Sequence, residues 1–444
     1  MAFFKENTTL RENKLSHIWD TTGGLYDSEL YIDGLVDESV VDEVNDNGTR
    51  YHMNPVLHRL SIKKEEEGIG FEILGITRLN RNPCHRVIIY SRENKFSYST
   101  NQDKNIVSLF FHGGGYLNAS PSYWKGFEKL KILDLEDFGL NILPETIGIL
   151  MELRYLGLRN NYIKELPKSV GCLENLEVLD VAQNFMVQVP DIIWEMGSLV
   201  RLYMSDVICK KPFKIDVLQQ LNTLTSVSFD NLISDLSGLQ MLARLKKLGV
   251  QDLDGNAHVS KLFVSLFNLK SLHHLILRGH RYRNMPCLDD LGTLHNVKTL
   301  KLDGRLDRLP KRFPIFMSSL TLANSCANED PMPLLGKLPH LEYLKLRNAY
   351  TGQHMGIPKK HFSSLEVLCI EELWNLRNLQ IGKGAVEYLE KLEIRNCPNL
   401  DTLPEEVRSI RDLDDLKMVT TKTISTNIRN SRSISKIRFV NINP

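Results

Sequence analysis

Between Leu130 and Pro190 the apolar residues recur in a fixed phase. Leu130 to Pro144 reads LKILDLEDFGLNILP, Leu153 to Pro167 reads LRYLGLRNNYIKELP, and Leu176 to Pro190 reads LEVLDVAQNFMVQVP. All three follow LxxLxLxxNxLxxLP, with Phe138 in the Asn place of the first, and they open 23 residues apart. In an extended segment successive side chains point to opposite faces. The fourth and sixth places of each unit therefore predict a short strand with its leucines turned inward. The second, third, fifth and seventh places project to the other side. A last apolar residue and Leu-Pro then lead into a helical or irregular return carrying residues such as Ile147 and Leu150. One such unit cannot bury its own leucines, so units must stack into a continuous core with one long parallel sheet.

The pattern extends well beyond these three units. Leu199 opens a fourth unit in the same phase, and further LxxLxL-type cores open at Leu224, Leu245, Leu272, Val297, Met317, Leu341, Leu365, Leu389 and Leu413. ISKIRF opens a last one at Ile434, IVSLFF opens one at Ile106, and HRVIIY at His85 is a first, less regular member. About sixteen strands are expected in all, and the pattern resembles the leucine-rich-repeat consensus. That resemblance implies an α/β fold: a leucine-rich-repeat solenoid, or horseshoe, with a parallel concave β-sheet. Asn161 and Asn184 hold the ninth place, where an inward amide can satisfy the backbone of adjoining coils. Cys397 holds that place in the unit opened by Leu389 and reads as a structural thiol.

The first 80 residues differ in kind. Leucine occurs 9 times before residue 85 and 59 times in the remaining 360 residues, which marks a boundary near residue 81. Ser28 to Leu35 is a short helical candidate. VVDEV (Val40 to Val44), the turn Asn45-Asp46-Asn47-Gly48 and TRYHM (Thr49 to Met53) predict a β-hairpin. Asn54-Pro55 then starts a second helix through Val56, Leu57, Leu60 and Ile62, ending near Glu65-Glu66-Glu67. Helix, hairpin and helix followed directly by repeats resemble the C-terminal half of a plant nucleotide-binding leucine-rich-repeat immune receptor. Residues 1–80 are then a partial winged-helix segment and linker, and residues 81–444 the repeat domain. The family's Met-His-Asp motif reads Met53-Asn54-Pro55 here, and no GxxxxGK[ST] occurs. No loop is thus expected to cradle nucleotide phosphates, so no ADP or ATP and no other cofactor is expected, and the nucleotide-binding module is expected upstream of Met1 or in trans.

Charge adds exclusions. Lys and Arg number 55 against 54 Asp and Glu, which argues against a nucleic-acid or membrane-surface binder. No run approaches the length of an apolar membrane span, and Met1 to Leu15 carries no apolar signal region. The seven cysteines form no CxxC pair, so reduced thiols and a cytoplasmic location are expected rather than a disulfide framework or a Cys-based zinc site.

Two motifs suggest chemistry. His112-Gly113-Gly114-Gly115 resembles the oxyanion loop of lipases and esterases, but no G-x-S-x-G elbow follows, and Ile106, Leu109 and Phe111 fit the repeat phase. A glycine turn leaving a strand is the expectation. His273-His274, with His280 nearby, lacks a third ligand of suitable spacing, and adjacent strand residues face opposite ways. No metal and no enzymatic activity are expected.

The concave face carries the remaining information. Its fifth-place row runs Asp134, Gly157, Asp180, Tyr203, Ser228, Gly249, Ile276, Lys301, Thr321, Lys345, Cys369, Glu393 and Lys417. Arg154, Tyr155, Arg159 and Arg201 flank the early part, and Tyr343 and Arg347 flank the later part. Exposed aromatic and arginine side chains are common anchors of protein interfaces. The candidate face is therefore Asp134, Arg154, Tyr155, Arg159, Asp180, Arg201, Tyr203, Lys301, Tyr343, Lys345 and Arg347. The immune-receptor resemblance implies recognition of a pathogen effector or contact with a nucleotide-binding module. The alternatives are a cytosolic scaffold for signalling proteins such as small GTPases, and an esterase-type hydrolase.

Overall fold

The computed structural model describes residues 103–114, 120–205, 214–255, 259–280, 283–400 and 402–421, with residues 9–11, 14, 18, 41–43, 50–53, 71–74, 85–89, 207–209, 426 and 439–443. The chain divides into two compact units, residues 1–226 and 227–444.

In the first unit, β1 (Thr9–Arg11), β2 (Val41–Glu43) and β3 (Arg50–Met53) form a small antiparallel sheet in the order β1-β3-β2. The expected hairpin is present, with Val41 opposite Met53 and Glu43 opposite Tyr51. β1 adds to the free edge of β3, placing Arg11 opposite Arg50. The two helical candidates, 28–35 and the one starting at 54, lie outside the described residues.

A parallel sheet follows through β4 (Phe71–Leu74), β5 (His85–Ile89), β6 (Ser108–His112), β7 (Ile132–Asp134), β8 (Tyr155–Gly157) and β9 (Val178–Asp180). It continues through β11 (Arg201–Tyr203) to β13 (Thr223–Ser228), while β10 (Gln188–Val189) pairs with β12 (Ile208–Cys209) on the return side. Its first strand, Phe71–Leu74, precedes residue 81.

The second unit carries β14 (Lys247–Leu253), β15 (His274–Gly279), β16 (Thr299–Asp303), β17 (Ser319–Ala323) and β18 (Tyr343–Arg347), paired in parallel in that order. β20 (Val367–Glu371), β22 (Lys391–Arg395), β23 (Asp415–Val419) and β24 (Phe439–Asn443) complete the sheet. On the return side β19 (His354–Ile357) pairs with β21 (Asn378–Ile381). Each unit is thus a stack of leucine-rich-repeat coils.

The physical reasons repeat from coil to coil. The first-, fourth- and sixth-place residues Leu153, Leu156 and Leu158, and likewise Leu341, Leu344 and Leu346, have no exposed surface. Each buried leucine contributes roughly 1.5–3 kcal/mol of transfer free energy. The eighth place turns the chain out of the strand through a left-handed conformation, as at Asp137, Asn160, Asn324, Asn348 and Asn396, with φ between 47° and 59°. Asp and Asn tolerate that region better than most residues. The prolines of the Leu-Pro pairs, Pro144, Pro167 and Pro190, sit at φ −71°, −67° and −72°, matching what the ring imposes. Each starts a one-turn 3-10 helix that buries Ile147, Val170 or Ile193.

The ninth-place amides act as expected. Asn161 Nδ2 donates to the Leu135 and Leu158 carbonyls, both at 2.8 Å, and its Oδ1 accepts from Leu140 N at 2.8 Å. Asn184 repeats the pattern one coil on, with Leu158 O at 2.8 Å, Val181 O at 3.0 Å and Ile163 N at 3.1 Å. Phe138 fills the same place with a ring that meets Phe111 edge-on at 5.4 Å. Cys397 is fully buried, its thiol directed to the Arg395 carbonyl at 3.5 Å and pushed up to about 11 by burial. After β6, Gly113 and Gly114 have φ of 101° and 115°, and a Cβ on Gly114 would stand 3.1 Å from the Phe138 carbonyl. The glycine run therefore makes a tight turn packed on the next coil.

Three phases differ from expectation. β5 sets Arg86 opposite Leu109 and Ile88 opposite Phe111, so Ile88 holds the sixth place and not the fourth that an opening at His85 would give it. β13 pairs Leu224 with Leu202, so Leu224 holds the fourth place of a coil opened by Leu221 instead of opening one. That coil's fifth place is Thr225, not Ser228. Likewise β24 sets Val440 opposite Leu416 and Ile442 opposite Met418, so the last coil opens at Ile437, not Ile434. The segments at Leu224 and Ile434 hold apolar residues in two frames three residues apart, and strand pairing selects the earlier in the first and the later in the second.

Candidate recognition face

The open face of each sheet is built by register. In the first unit Asp134, Gly157, Asp180 and Tyr203 stand side by side across four strands. In the second, Gly249, Ile276, Lys301, Thr321, Lys345, Cys369, Glu393 and Lys417 form one row across eight.

Asp134 and Tyr155 close over Gly157, which stands between Asp134 and Asp180 in the row. A Cβ there would meet Asp134 Oδ1 at 2.7 Å and the Tyr155 ring at 2.9 Å. Two cations from the N-terminal segment fill this region. Arg11 reaches Glu136 at 2.7 Å and Asp180 at 3.1 Å, while Lys14 reaches Asp134 at 2.6 Å and Glu136 at 2.5 Å. Arg159 adds a longer contact of 3.6 Å to Asp180 and donates to Gln183 at 3.1 Å. Three carboxylates thus meet three cations.

The electrostatics follow from burial set against pairing. Burial disfavours the charge of Glu136, but Lys14 and Arg11 outweigh it and hold the carboxyl at about 2. For Arg11 and Lys14 burial again opposes charge, and the carboxylates override it and raise both. Asp180 goes the other way: burial raises its pKa despite Arg11 and Arg159. Burial also raises the Tyr155 phenol, reinforced by the surrounding carboxylates.

The second unit pairs its charges between its own strands. Arg278 reaches Asp303 at 3.6 Å, Lys345 reaches Glu371 at 2.8 Å, Arg347 reaches Glu372 at 3.3 Å, and Lys391 reaches Asp415 at 3.3 Å. Lys301 and Lys417 contact the Asp303 and Asp415 carboxylates at 3.7 Å and 3.5 Å. Glu393 pairs with Arg395, and the Cys369 thiol lies 3.5 Å from Glu393, pushed up to about 12 by burial and that carboxylate.

The candidate residues therefore fall in two groups. Asp134, Tyr155, Arg159 and Asp180 come together beneath Arg11 and Lys14, with Arg154 at the edge paired to Glu177 at 3.2 Å. Arg201 and Tyr203 continue these rows on β11. Lys301, Tyr343, Lys345 and Arg347 lie on β16 and β18. Tyr155 and Tyr203 are not exposed anchors: 2% and 8% of their surface is accessible. Tyr155 is buried among the same carboxylates and Arg11. Sequence reasoning missed Glu136, although its seventh place predicts an open-face position. It also missed Arg11 and Lys14, which no local pattern connects to residues more than 120 positions away. Among the described residues no group of three or more His, Cys, Asp and Glu side chains is arranged to hold a metal.

A family model described as "Leucine-rich repeat region" matches residues 116–436. A protein of Arabidopsis thaliana described as "Probable disease resistance protein" is 27% identical over 451 residues, which is 94% of this chain and 50% of that protein. Disease resistance protein RPP13 of Arabidopsis thaliana is 25% identical over 413 residues, 89% of this chain and 47% of that protein. The chain spans about half the length of the curated relatives it matches. A solved leucine-rich-repeat protein of Leptospira interrogans is 21% identical, with a TM-score of 0.45 over 78% of this chain and 91% of that one.

Proposed function

The chain belongs to the leucine-rich-repeat region family, and we propose that it serves as a protein-recognition surface in plant immune defence. The reading rests on the in-register rows of charged side chains, which folding does not require, together with the similarity to disease resistance proteins of Arabidopsis thaliana. The partner is a pathogen protein or a host signalling protein, bound without chemical conversion. Free thiols at Cys172, Cys287, Cys326, Cys369 and Cys397 support a reducing, cytoplasmic setting. The glycine turn after β6 gives the esterase alternative no support.

The test compares two surfaces of the same chain. A partner captured from infected plant tissue is offered to Lys345→Glu/Arg347→Glu and to Lys168→Glu/Glu174→Lys on the return side. Loss with the first pair and retention with the second is expected. Retention with the first and loss with the second would move recognition to the return side.

A further inference from the structure

We propose that the second unit carries a self-complementary edge on which a second copy of this chain docks, about a two-fold axis at Ser318. This goes beyond the recognition reading and does not rest on it.

The edge is formed by the residue immediately before each main-sheet strand of this unit. A backbone ladder fixes its register. Each amide donates to the carbonyl one coil back, from His273 N to Lys246 O at 2.9 Å through to Glu390 N to Glu366 O at 2.9 Å. Along this row the charge changes sign once. Lys246, His273 and Lys298 come first, and Ser318 stands in the middle. Glu342, Glu366 and Glu390 follow. The two lysines and three glutamates are exposed, and among the described residues no ion pair engages them. Within the strands, by contrast, a carboxylate such as Glu371 finds its cation on the adjacent strand.

Neighbouring strands lie about 4.8 Å apart, and like charges set directly opposite one another destabilise a sheet. Neither like-charged arm therefore helps this unit to fold. A counter-charged arm relieves each, and the chain carries one of each sign. A two-fold axis through Ser318 reverses the row. It sets Lys298 of one copy against Glu342 of the other, His273 against Glu366, and Lys246 against Glu390, each twice. The members of every pair lie the same number of coils from the axis, so the spacings agree by construction. The middle of the edge supplies the apolar part. Ile315 and Phe316, just before Ser318 in the same coil, are 50% and 57% exposed, and the Phe316 ring stacks on His340 at 5.8 Å. Docking about Ser318 brings these residues together at the centre and leaves the charges outside, the arrangement of an apolar core within a polar rim. A foreign partner must reproduce both the inverted charge order and the apolar centre. A second copy has both by symmetry.

The experiment is sedimentation equilibrium of the full chain. The unaltered chain should form a dimer whose dissociation constant rises at least about tenfold as salt is raised from about 0.05 to about 0.5 M. Lys246→Glu/Lys298→Glu makes both arms acidic, and Glu342→Lys/Glu366→Lys/Glu390→Lys makes both basic. Each variant alone should be monomeric. Mixed in equal amounts, the two should form a heterodimer, because every opposed pair again joins unlike charges. Phe316→Ala should weaken the dimer at least about tenfold and leave its salt response unchanged. Should either multiple variant fail to fold by circular dichroism, the single reversals Lys298→Glu and Glu342→Lys carry the same test. A chain that stays monomeric in low salt, a dimer that survives either reversal, or folded reversed variants that do not rescue each other would overturn the proposal. No plant partner enters this measurement, so its failure is distinct from a failure of the recognition reading.

Discussion

The open faces of the two units solve one electrostatic problem in opposite ways. In the second unit cations and carboxylates alternate from strand to strand, as in Lys345 with Glu371 and Lys391 with Asp415, and the sheet neutralises itself. In the first unit Asp134 and Asp180 stand in the same row with only Gly157 between them, and neutrality comes from Arg11 and Lys14, outside the repeats. The scaffold beneath is the same. What differs is whether the counter-charge is local.

If the scaffolds are equivalent, core substitutions should not distinguish the units. Leu156→Asp and Leu344→Asp each place a carboxylate among fully buried leucines with no cation at hand. Each should lose at least about 3–5 kcal/mol or fail to fold, as burial of an uncompensated charge usually does. Urea unfolding of both variants tests this. Survival of one with a small loss would show that its unit does not bury the fourth place as the other does.

The ninth place separates the units by a smaller amount. Asn161→Ala strands the Leu135 and Leu158 carbonyls and the Leu140 amide. The expected loss is about 2–3 kcal/mol, since each unsatisfied buried group carries a desolvation penalty. Cys397→Ala removes only weak sulfur contacts and a small volume, and should lose about 1 kcal/mol. Equal losses in thermal unfolding would mean that the amide ladder is not what orders the first unit's coils.

What the sequence made legible was the local part of this comparison. The burial of the fourth and sixth places, the amide bonds of Asn161 and Asn184, the hairpin ending at Met53 and the fifth-place rows all follow from spacing within a coil and its neighbour. The phases at Leu224 and Ile437 were ambiguous because LNTLTSV and IRFVNI, read with their flanks, offer two apolar frames. The pairing of the first face's carboxylates with Arg11 and Lys14 was not legible at all. Tyr155 occupies a place that the repeat rule leaves open, yet it is buried, with Arg11 from outside the repeats among the charges around it.

Acid should act on the first face before it affects the coils. The Glu136 carboxyl is held at about 2 against an ordinary value of 4.5, so its pairing stabilises fully above 4.5 and is lost as pH falls toward 2. Asp180 contributes the opposite sign. Its pKa is raised above 3.8, so its ionised form is disfavoured above that shifted value, and protonation on acidification relieves part of that cost. A melting curve sums both effects. Hydrogen exchange of the amides in β1 isolates the first, and protection there should fall between pH 4.5 and 2, after correction for intrinsic exchange. Unchanged protection would mean that β1 is held by its strand pairing alone.

The smallest effect belongs to the self-paired face. Lys345 meets Glu371 at 2.8 Å, but their side chains keep 29% and 13% of their exposure, and water and salt screen the pair. Removing one partner of such a contact usually shifts stability by about 0.5 kcal/mol or less. Lys345→Ala should therefore leave the urea midpoint nearly unchanged. Its neighbours can also compensate, because Glu371 lies on a strand flanked by further cations in the same charge pattern. Arg11→Ala provides the contrast, since it leaves Asp180 with the Ala182 amide at 3.1 Å and, as counter-charge, the longer contact to Arg159. The loss should exceed that of Lys345→Ala and should appear first as exposure of β1. If Lys345→Ala proves the more damaging of the two, the second face depends on its ion pairs for stability, and the difference between self-paired and foreign-paired rows does not hold.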